Sequence, residues 1–209
     1  LLLAAASRAR THHTPSDPAA LDLSARAVDL ARRRDDDEAL GSSLLARHDA
    51  VWEPGTARQR VALADEMTRV ALRGADRELE LQASLLRMAA LLEQGDRRAL
   101  SEYAWFVAMA ERTRLPRFRY LALSRQGTIA MLTGHFDEAR AFVDEAFALG
   151  GRLGEADRTG VWRGQSWSLA VLQGNLDEAS ALVDAYRAEV DPWGSVLGAS
   201  LAAQEGQID

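Results

Sequence analysis

The side chains best suited to chemistry in this chain are arginines, tryptophans and four histidines. All 25 basic residues are arginine, and the sequence contains neither lysine nor cysteine. Schiff-base catalysis, thiolate nucleophiles, thiolate zinc sites and disulfides are therefore excluded for this segment, and so is the phosphate-binding lysine of a nucleotide loop. What remains is acid–base chemistry and the planar guanidinium, which binds carboxylates and phosphates through paired hydrogen bonds.

The histidines do not form a recognisable catalytic or metal-binding pattern. His12 and His13 are adjacent in a predicted turn, so a surface pair is favoured over a metal site. His48 and Asp49 lie in a predicted helix, where a polar inner face is favoured over an acid–base dyad. The sequence has no HExxH, phosphate-loop, GxGxxG or GxSxG motif. We therefore predict that the segment is not an enzyme and that it holds no cofactor or metal.

Four arginines recur at an almost constant interval, which indicates a binding surface. They are separated by 40, 38 and 38 residues and are Arg47, Arg87, Arg125 and Arg163. If equivalent positions of stacked repeats lie in a row, these side chains line one groove suited to an acidic peptide, a partner helix or a phosphate. The alternative is that each arginine covers an exposed flank or pairs with a neighbouring acid such as Glu80 or Asp49.

Tryptophans on the same predicted helices extend this hypothesis. Trp52 and Trp162 accompany the arginines, and tryptophan together with arginine is the composition typical of binding hot spots. We predict that the inner groove contains His48, Trp52 and Trp162 beside the four arginines. Trp105 is flanked by apolar residues in SEYAWFVAMA and is predicted to be packed.

The elements that position these residues recur with a period of about 40 residues. Gly55, Gly95, Gly134 and Gly174 are separated by 40, 39 and 40 residues, and each stands between two apolar patterns of helical spacing. The segment GHFDEARAFVDEAF, which begins at Gly134, returns as GNLDEASALVDAY, which begins at Gly174. A single hairpin cannot bury its apolar face, but stacked hairpins build one continuous core.

The period predicts an all-α fold, a right-handed α-solenoid of about ten helices in about five hairpins that resemble tetratricopeptide repeats. Turns are expected near residues 12–17, 55, 95, 134 and 174. Residues 1–209 are predicted to form a single helical-repeat domain that is a fragment of a longer protein.

Helix boundaries carry separate signals. Asp76 and Asp157 are predicted N-caps, and Asp17 and Asp191 each precede a proline at a predicted first helical position. In the charged run ARRRDDDEAL, arginines end one predicted helix and acids begin the next, as the helix dipole favours. We interpret this run as a helix boundary rather than a metal or partner site.

The repeated segment resembles the tetratricopeptide repeat. Gly134, Phe136, Ala139 and Ala146 match the second-helix signature of that family, and Gly127 falls at the small residue of its first helix. In the second copy the signature is partly changed, because a tryptophan replaces the small residue and a tyrosine replaces the last alanine. The period of about 40 residues exceeds the family's usual value of about 34.

A wider resemblance covers roughly residues 20–190. The segments LARHDAVW, ALADEMTRVALRGADRELELQA and LLEQGD are similar to the helical-repeat region of large actinobacterial-type regulators. Proteins of that family carry a nucleotide-hydrolysing switch domain ahead of the repeats. Their effector end is a LuxR-type DNA-binding domain, an antibiotic-regulatory-protein-type activator domain or a nucleotide cyclase. The resemblance implies a regulatory role in the cytoplasm and transfers no catalytic residue to this segment.

Two classes of function follow as expectations. The first is a protein-interaction and sensor arm of a bacterial transcriptional or signalling regulator, whose partner is a protein or peptide such as the ATPase domain of the same chain. The alternative is a groove that binds a small molecule or peptide and thereby switches the regulator. A net charge of −6 argues against direct nucleic-acid binding by this segment. No apolar run approaches the ~18 residues that a membrane span needs.

Overall fold

The computed structural model describes residues 1–13, 17–188, 192–204 and 206, and these residues form eleven α-helices and no β-strand. The predicted all-α class is confirmed. About ten helices were expected, and the described residues form eleven, of which the last follows the second repeated segment. The helices are α1 (Leu2–His13), α2 (Pro18–Arg34), α3 (Asp37–Ala50), α4 (Ala57–Gly74), α5 (Arg77–Glu93), α6 (Arg98–Thr113), α7 (Pro116–Leu132), α8 (Phe136–Leu153), α9 (Arg158–Leu172), α10 (Leu176–Ala188) and α11 (Pro192–Gln204).

The helices are distributed over two compact units, Leu1–Arg112 and Thr113–Asp209. In the first unit each helix from α1 to α4 packs on the next, and α1 also contacts α3. In the second unit α7 to α11 pack in the same consecutive way, and α7 also contacts α9. Packing of each helix on its neighbour along the chain is typical of helical hairpins. That residues 1–209 form one domain stays a prediction.

Glycine occupies the turns where the sequence placed it. Gly55, Gly95, Gly134 and Gly174 have φ angles of 85°, 65°, 80° and 73°. This left-handed region is strained for residues that carry a Cβ, so a glycine is favoured at each of these turns. The four predicted turns are confirmed. His12 and His13, expected in a turn at residues 12–17, lie in α1 instead, so that part of the prediction is wrong, and residues 14–16 lie outside the described residues.

Aspartate caps begin several helices as predicted. Asp17 and Asp76 accept backbone N–H hydrogen bonds of 2.9 and 3.0 Å from residues in the first turns of α2 and α5. Asp157 stands at the N-cap position of α9 but makes no capping bond. Its carboxylate accepts a hydrogen bond of 3.4 Å from the Tyr120 hydroxyl instead, so the predicted N-cap position is confirmed but the side chain does not cap the helix. Asp191 lies outside the described residues.

The charged run ARRRDDDEAL is a helix boundary. Its three arginines occupy the last turn of α2, and Asp37 and Glu38 occupy the first turn of α3. Asp36 is the N-cap between them and accepts a 2.9 Å hydrogen bond from a backbone N–H. Cations at the end of one helix and anions at the start of the next both interact favourably with the helix dipoles.

The first repeated segment forms a tightly packed helix pair. Ala139 and Ala146 on α8 are 0% and 2% exposed. A Cβ at Gly127 on α7 would stand 2.9 Å from Cγ2 of Val143, which is closer than carbon atoms approach. The small residues of the signature therefore allow α7 and α8 to approach closely, as predicted.

Candidate functional site

One cluster of functional side chains surrounds the turn between α3 and α4. His48 in the last turn of α3 and Arg60 in the first turns of α4 are both 0% exposed, whereas Trp52 between them is 50% exposed. The Arg60 guanidinium carbon lies 4.6 Å from the centre of the Trp52 ring, in a cation–π arrangement. The His48 ring meets the same tryptophan edge-on at 5.4 Å. We call these three residues and Glu93 the Trp52 cluster.

Arg60 is a buried cation held by three different interactions. Its Nη2 forms an ion pair with the Glu93 carboxylate at the end of α5. Its Nε donates a 3.3 Å hydrogen bond to the Thr56 hydroxyl, and its plane covers Trp52. A buried charge is tolerated only when it is paired and hydrogen-bonded. These contacts hold the guanidinium against one face of the Trp52 ring, while Nη1 of Arg60 has no hydrogen-bond partner among the described residues.

His48 cannot act as half of an acid–base dyad in this arrangement. Burial, together with the nearby positive charge of Arg60, lowers the pKa of His48 to about 4, so the imidazole is neutral at pH 7. Neither ring nitrogen has a hydrogen-bond partner among the described residues. Asp49 instead pairs with Arg8 at 3.1 Å. The structure therefore places His48 in the packed base of the Trp52 cluster.

The two predicted groove arginines of the first unit both contact groups of that unit. Arg47 donates a 2.9 Å hydrogen bond to the carbonyl of Leu21. Arg87 lies between two acids, with Nη1 3.0 Å from Glu102 and Nε 3.1 Å from Asp65. Asp49 and Glu80 were the acids suggested by the sequence as partners for these arginines. In the structure Asp49 pairs with Arg8, and Glu80 pairs with Arg77.

The predicted groove residues of the second unit are also half-buried and engaged. Arg125 donates a 3.2 Å hydrogen bond to the Ser124 hydroxyl, and burial lowers the pKa of its guanidinium. Arg163 lies over the Tyr186 ring at 5.7 Å. Trp162 donates its indole N–H to an aspartate on α8 at 3.0 Å. That the four arginines line one connected groove stays a prediction.

A separate pocket lies among α4, α5 and α6 and has a volume of about 330 Å³. Its walls carry three hydroxyls, two carboxylates, one guanidinium and one indole, from Thr68, Glu80, Ser84, Arg87, Ser101, Glu102 and Trp105. We call it the α5–α6 pocket. Among these residues the sequence predicts only Arg87 as a groove residue, offers Glu80 as a possible partner of an arginine, and predicts that Trp105 is packed. Trp105 is 37% exposed at the pocket, so that expectation is wrong.

The spacing of polar residues along α5 and α6 could have indicated the α5–α6 pocket from the sequence. Glu80, Ser84 and Arg87 stand four and three residues apart on α5, which places them on one face of the helix. Ser101 and Trp105 repeat this spacing on α6. A polar row on a helix that is otherwise largely buried is the pattern that identifies such a pocket.

Comparisons with known proteins add no assignment. No protein-family model matches the chain, and no curated protein matches it.

Among the described residues, no group of three or more His, Cys, Asp or Glu side chains could hold a metal ion. None of the helices in this part of the chain combines the length and apolar character that crossing a membrane requires.

Proposed function

We propose that this chain is a right-handed α-solenoid of about five tetratricopeptide-like hairpins. In this proposal it serves as the non-catalytic interaction and sensor arm of a cytoplasmic bacterial transcriptional or signalling regulator. The observation that carries the proposal is the recurrence of the glycine turn. Four glycines with positive φ stand 40, 39 and 40 residues apart, and each lies between two helices. Repeats of this kind present extended surfaces to proteins and peptides.

The Trp52 cluster supplies the best-defined surface for such a partner. Trp52 is half-exposed while the arginine beneath it is fully buried and paired with Glu93. An aromatic side chain held in one orientation loses little conformational entropy on binding, and this favours affinity. The proposed partner is a protein or peptide, with the ATPase domain of the same chain as the first candidate.

Calorimetric titration of the chain with the ATPase domain encoded by the same gene tests this proposal. Trp52→Ser should weaken binding about tenfold or more, since a central tryptophan is the typical hot spot of an interface. Leu132→Ser is a matched control, because Leu132 is 61% exposed and lies in the other compact unit. Equal affinities of the Trp52 variant and the parent would exclude this surface, and a gene without an ATPase domain would remove the proposed partner.

A second candidate function is a receptor in which a small molecule or peptide switches the regulator. The observation that favours it is the α5–α6 pocket, whose volume of about 330 Å³ falls at the lower end of small-molecule sites. Native mass spectrometry of the chain purified from its source tests this candidate. A bound small molecule that is lost on denaturation would support it.

A further inference from the structure

The two acids of the α5–α6 pocket are largely buried, and each is paired with one arginine. The side chains of Glu80 and Glu102 are 12% and 17% exposed. In each carboxylate, Oε2 contacts one arginine, Arg77 for Glu80 and Arg87 for Glu102. The two Oε1 atoms are further acceptors at the wall of the pocket. A carboxylate favours N–H donors, and charged donors most of all.

The charge inside the α5–α6 pocket is negative. Its lining contains two carboxylates and one guanidinium. Arg87 is shared, because its Nε also lies 3.1 Å from Asp65, outside the lining. Arg77, which contacts Glu80, is half-exposed and does not line the pocket. An entering cation would therefore be attracted by a net negative lining.

An unpartnered hydroxyl provides independent evidence for a ligand. Ser84 is 2% exposed and lines the pocket, and its Oγ has no hydrogen-bond partner among the described residues. The Thr68 hydroxyl, by contrast, donates to the carbonyl four residues earlier in α4. Buried polar atoms are nearly always hydrogen-bonded, so the Ser84 hydroxyl is an unused hydrogen-bonding group at the wall of the pocket.

Trp105 completes the site by adding an aromatic surface. It lies one turn beyond Ser101 and Glu102 on α6 and is 37% exposed at the pocket. The face of an indole ring attracts cations through its quadrupole, and it does so better than the rings of the other aromatic residues. The pocket thus combines carboxylate acceptors, a free hydroxyl and an aromatic face.

We propose that the α5–α6 pocket binds a small organic cation with several N–H donors, an amine or guanidinium compound, through Glu80, Glu102, Ser84 and Trp105. Acceptors outnumber donors in the lining, which suits a ligand that donates. The proposal deepens the receptor function and rests on it only for the regulatory consequence of binding. Binding itself is measurable on the chain alone, so failure of the interaction surface at Trp52 would leave it intact.

The test is calorimetric titration of the full 209-residue chain with agmatine, spermidine and glucosamine, with glucose and citrate as uncharged and anionic comparisons. We expect at least one cation to bind and both comparison compounds to fail. Glu80→Gln should weaken cation binding about tenfold, and added salt should reduce the difference between the variant and the parent. Glu111→Gln is the matched control, since Glu111 is exposed on α6 and does not line the pocket.

Ser84→Ala provides a second variant whose fold is not at risk, because it removes a hydroxyl with no protein partner. It should weaken binding severalfold without lowering the melting temperature. The proposal is overturned if no cation binds at millimolar concentration, if glucose binds better than the cations, or if Glu80→Gln and Ser84→Ala both bind as the parent does. Retained cation binding in Trp52→Ser would separate this pocket from the protein-interaction surface.

Discussion

Two sites in the first compact unit contain the same residue types, an arginine, a glutamate and a tryptophan, but differ in how deeply the arginine is buried. In the Trp52 cluster, Arg60 is 0% exposed and is paired with a glutamate beneath a tryptophan. In the α5–α6 pocket, Arg87 is 28% exposed, lies between two acids, and borders a volume of about 330 Å³. In the first arrangement Arg60 is packed against Trp52, whereas the second borders a pocket. Among the described residues, unpartnered polar atoms occur in both, at His48 and Arg60 in the first and at Ser84 in the second. The two arrangements therefore differ in the burial of the arginine rather than in its presence.

The largest effect is expected where the buried cation loses its counter-charge. Glu93→Gln leaves Arg60 charged and fully buried, and since Glu93 itself is 39% exposed we expect the free energy of unfolding to fall by about 2–3 kcal/mol. Urea denaturation measures this change. Glu78→Gln on the same helix serves as the control, because Glu78 is exposed and its substitution should have little effect. Similar stabilities of the two variants would show that the Trp52 cluster is not closed around its charge.

A pH dependence should distinguish the Trp52 cluster from the rest of the chain. The pKa of His48 falls from 6.5 to about 4 in the folded protein, so the unfolded chain binds more protons between these values. The contribution of the neutral His48 to the free energy of unfolding is therefore fully present above pH 6.5 and is lost as the pH falls toward 4. Between pH 7.5 and pH 5 the loss attributable to His48 should be about 2 kcal/mol. His48→Phe should flatten this slope in denaturation experiments, whereas substitution of the exposed His135 by Gln should leave it in place.

Arg87→Gln should have effects of opposite sign on stability and on ligand binding. Loss of its two partly exposed ion pairs should lower the free energy of unfolding by about 1 kcal/mol. The same change frees the Glu102 carboxylate and makes the pocket more negative, so cations such as agmatine should bind more tightly. Thermal denaturation and calorimetry measure the two effects on one sample. A loss of cation affinity in this variant would contradict the assignment of Glu102 as an acceptor for the ligand.

The all-α class and the glycine turns were predictable because turns and packed small residues leave local signals, whereas the solenoid and its handedness stay predictions. The four glycine turns and the close approach of α7 and α8 at Gly127 follow from residue type and spacing alone. The second repeated segment, which begins at Gly174, contains a change whose structural consequence the sequence does not predict. Tyr186 replaces an alanine there, and its hydroxyl donates to the carbonyl of Gly160 at 2.8 Å. The sequence shows the substitution but not the partner that accommodates it.

The candidate sites were less predictable because they depend on partners distant in sequence. The choice of acid for each arginine is an example, since Arg60 pairs with Glu93 and Arg87 pairs with Glu102 and Asp65. The period of the arginines made Arg87 a candidate, but it gave no sign that Arg60 would be fully buried. Helical spacing places residues on one face of a helix, whereas burial depends on how neighbouring helices pack.

The smallest effect on stability is expected at the residue that best defines the α5–α6 pocket. Ser84→Ala removes a buried hydroxyl without a protein partner, so the free energy of unfolding should change by less than about 0.5 kcal/mol, or even rise. Ser43→Ala is the matched control, because Ser43 is equally buried and its hydroxyl donates a 2.6 Å hydrogen bond to the carbonyl of Ala39. That variant should lose about 1 kcal/mol. Parallel denaturation of the two alanine variants measures the difference. A larger loss at Ser84 than at Ser43 would mean that the Ser84 hydroxyl already supports the fold, and the contrast between a closed cluster and an open pocket would no longer hold.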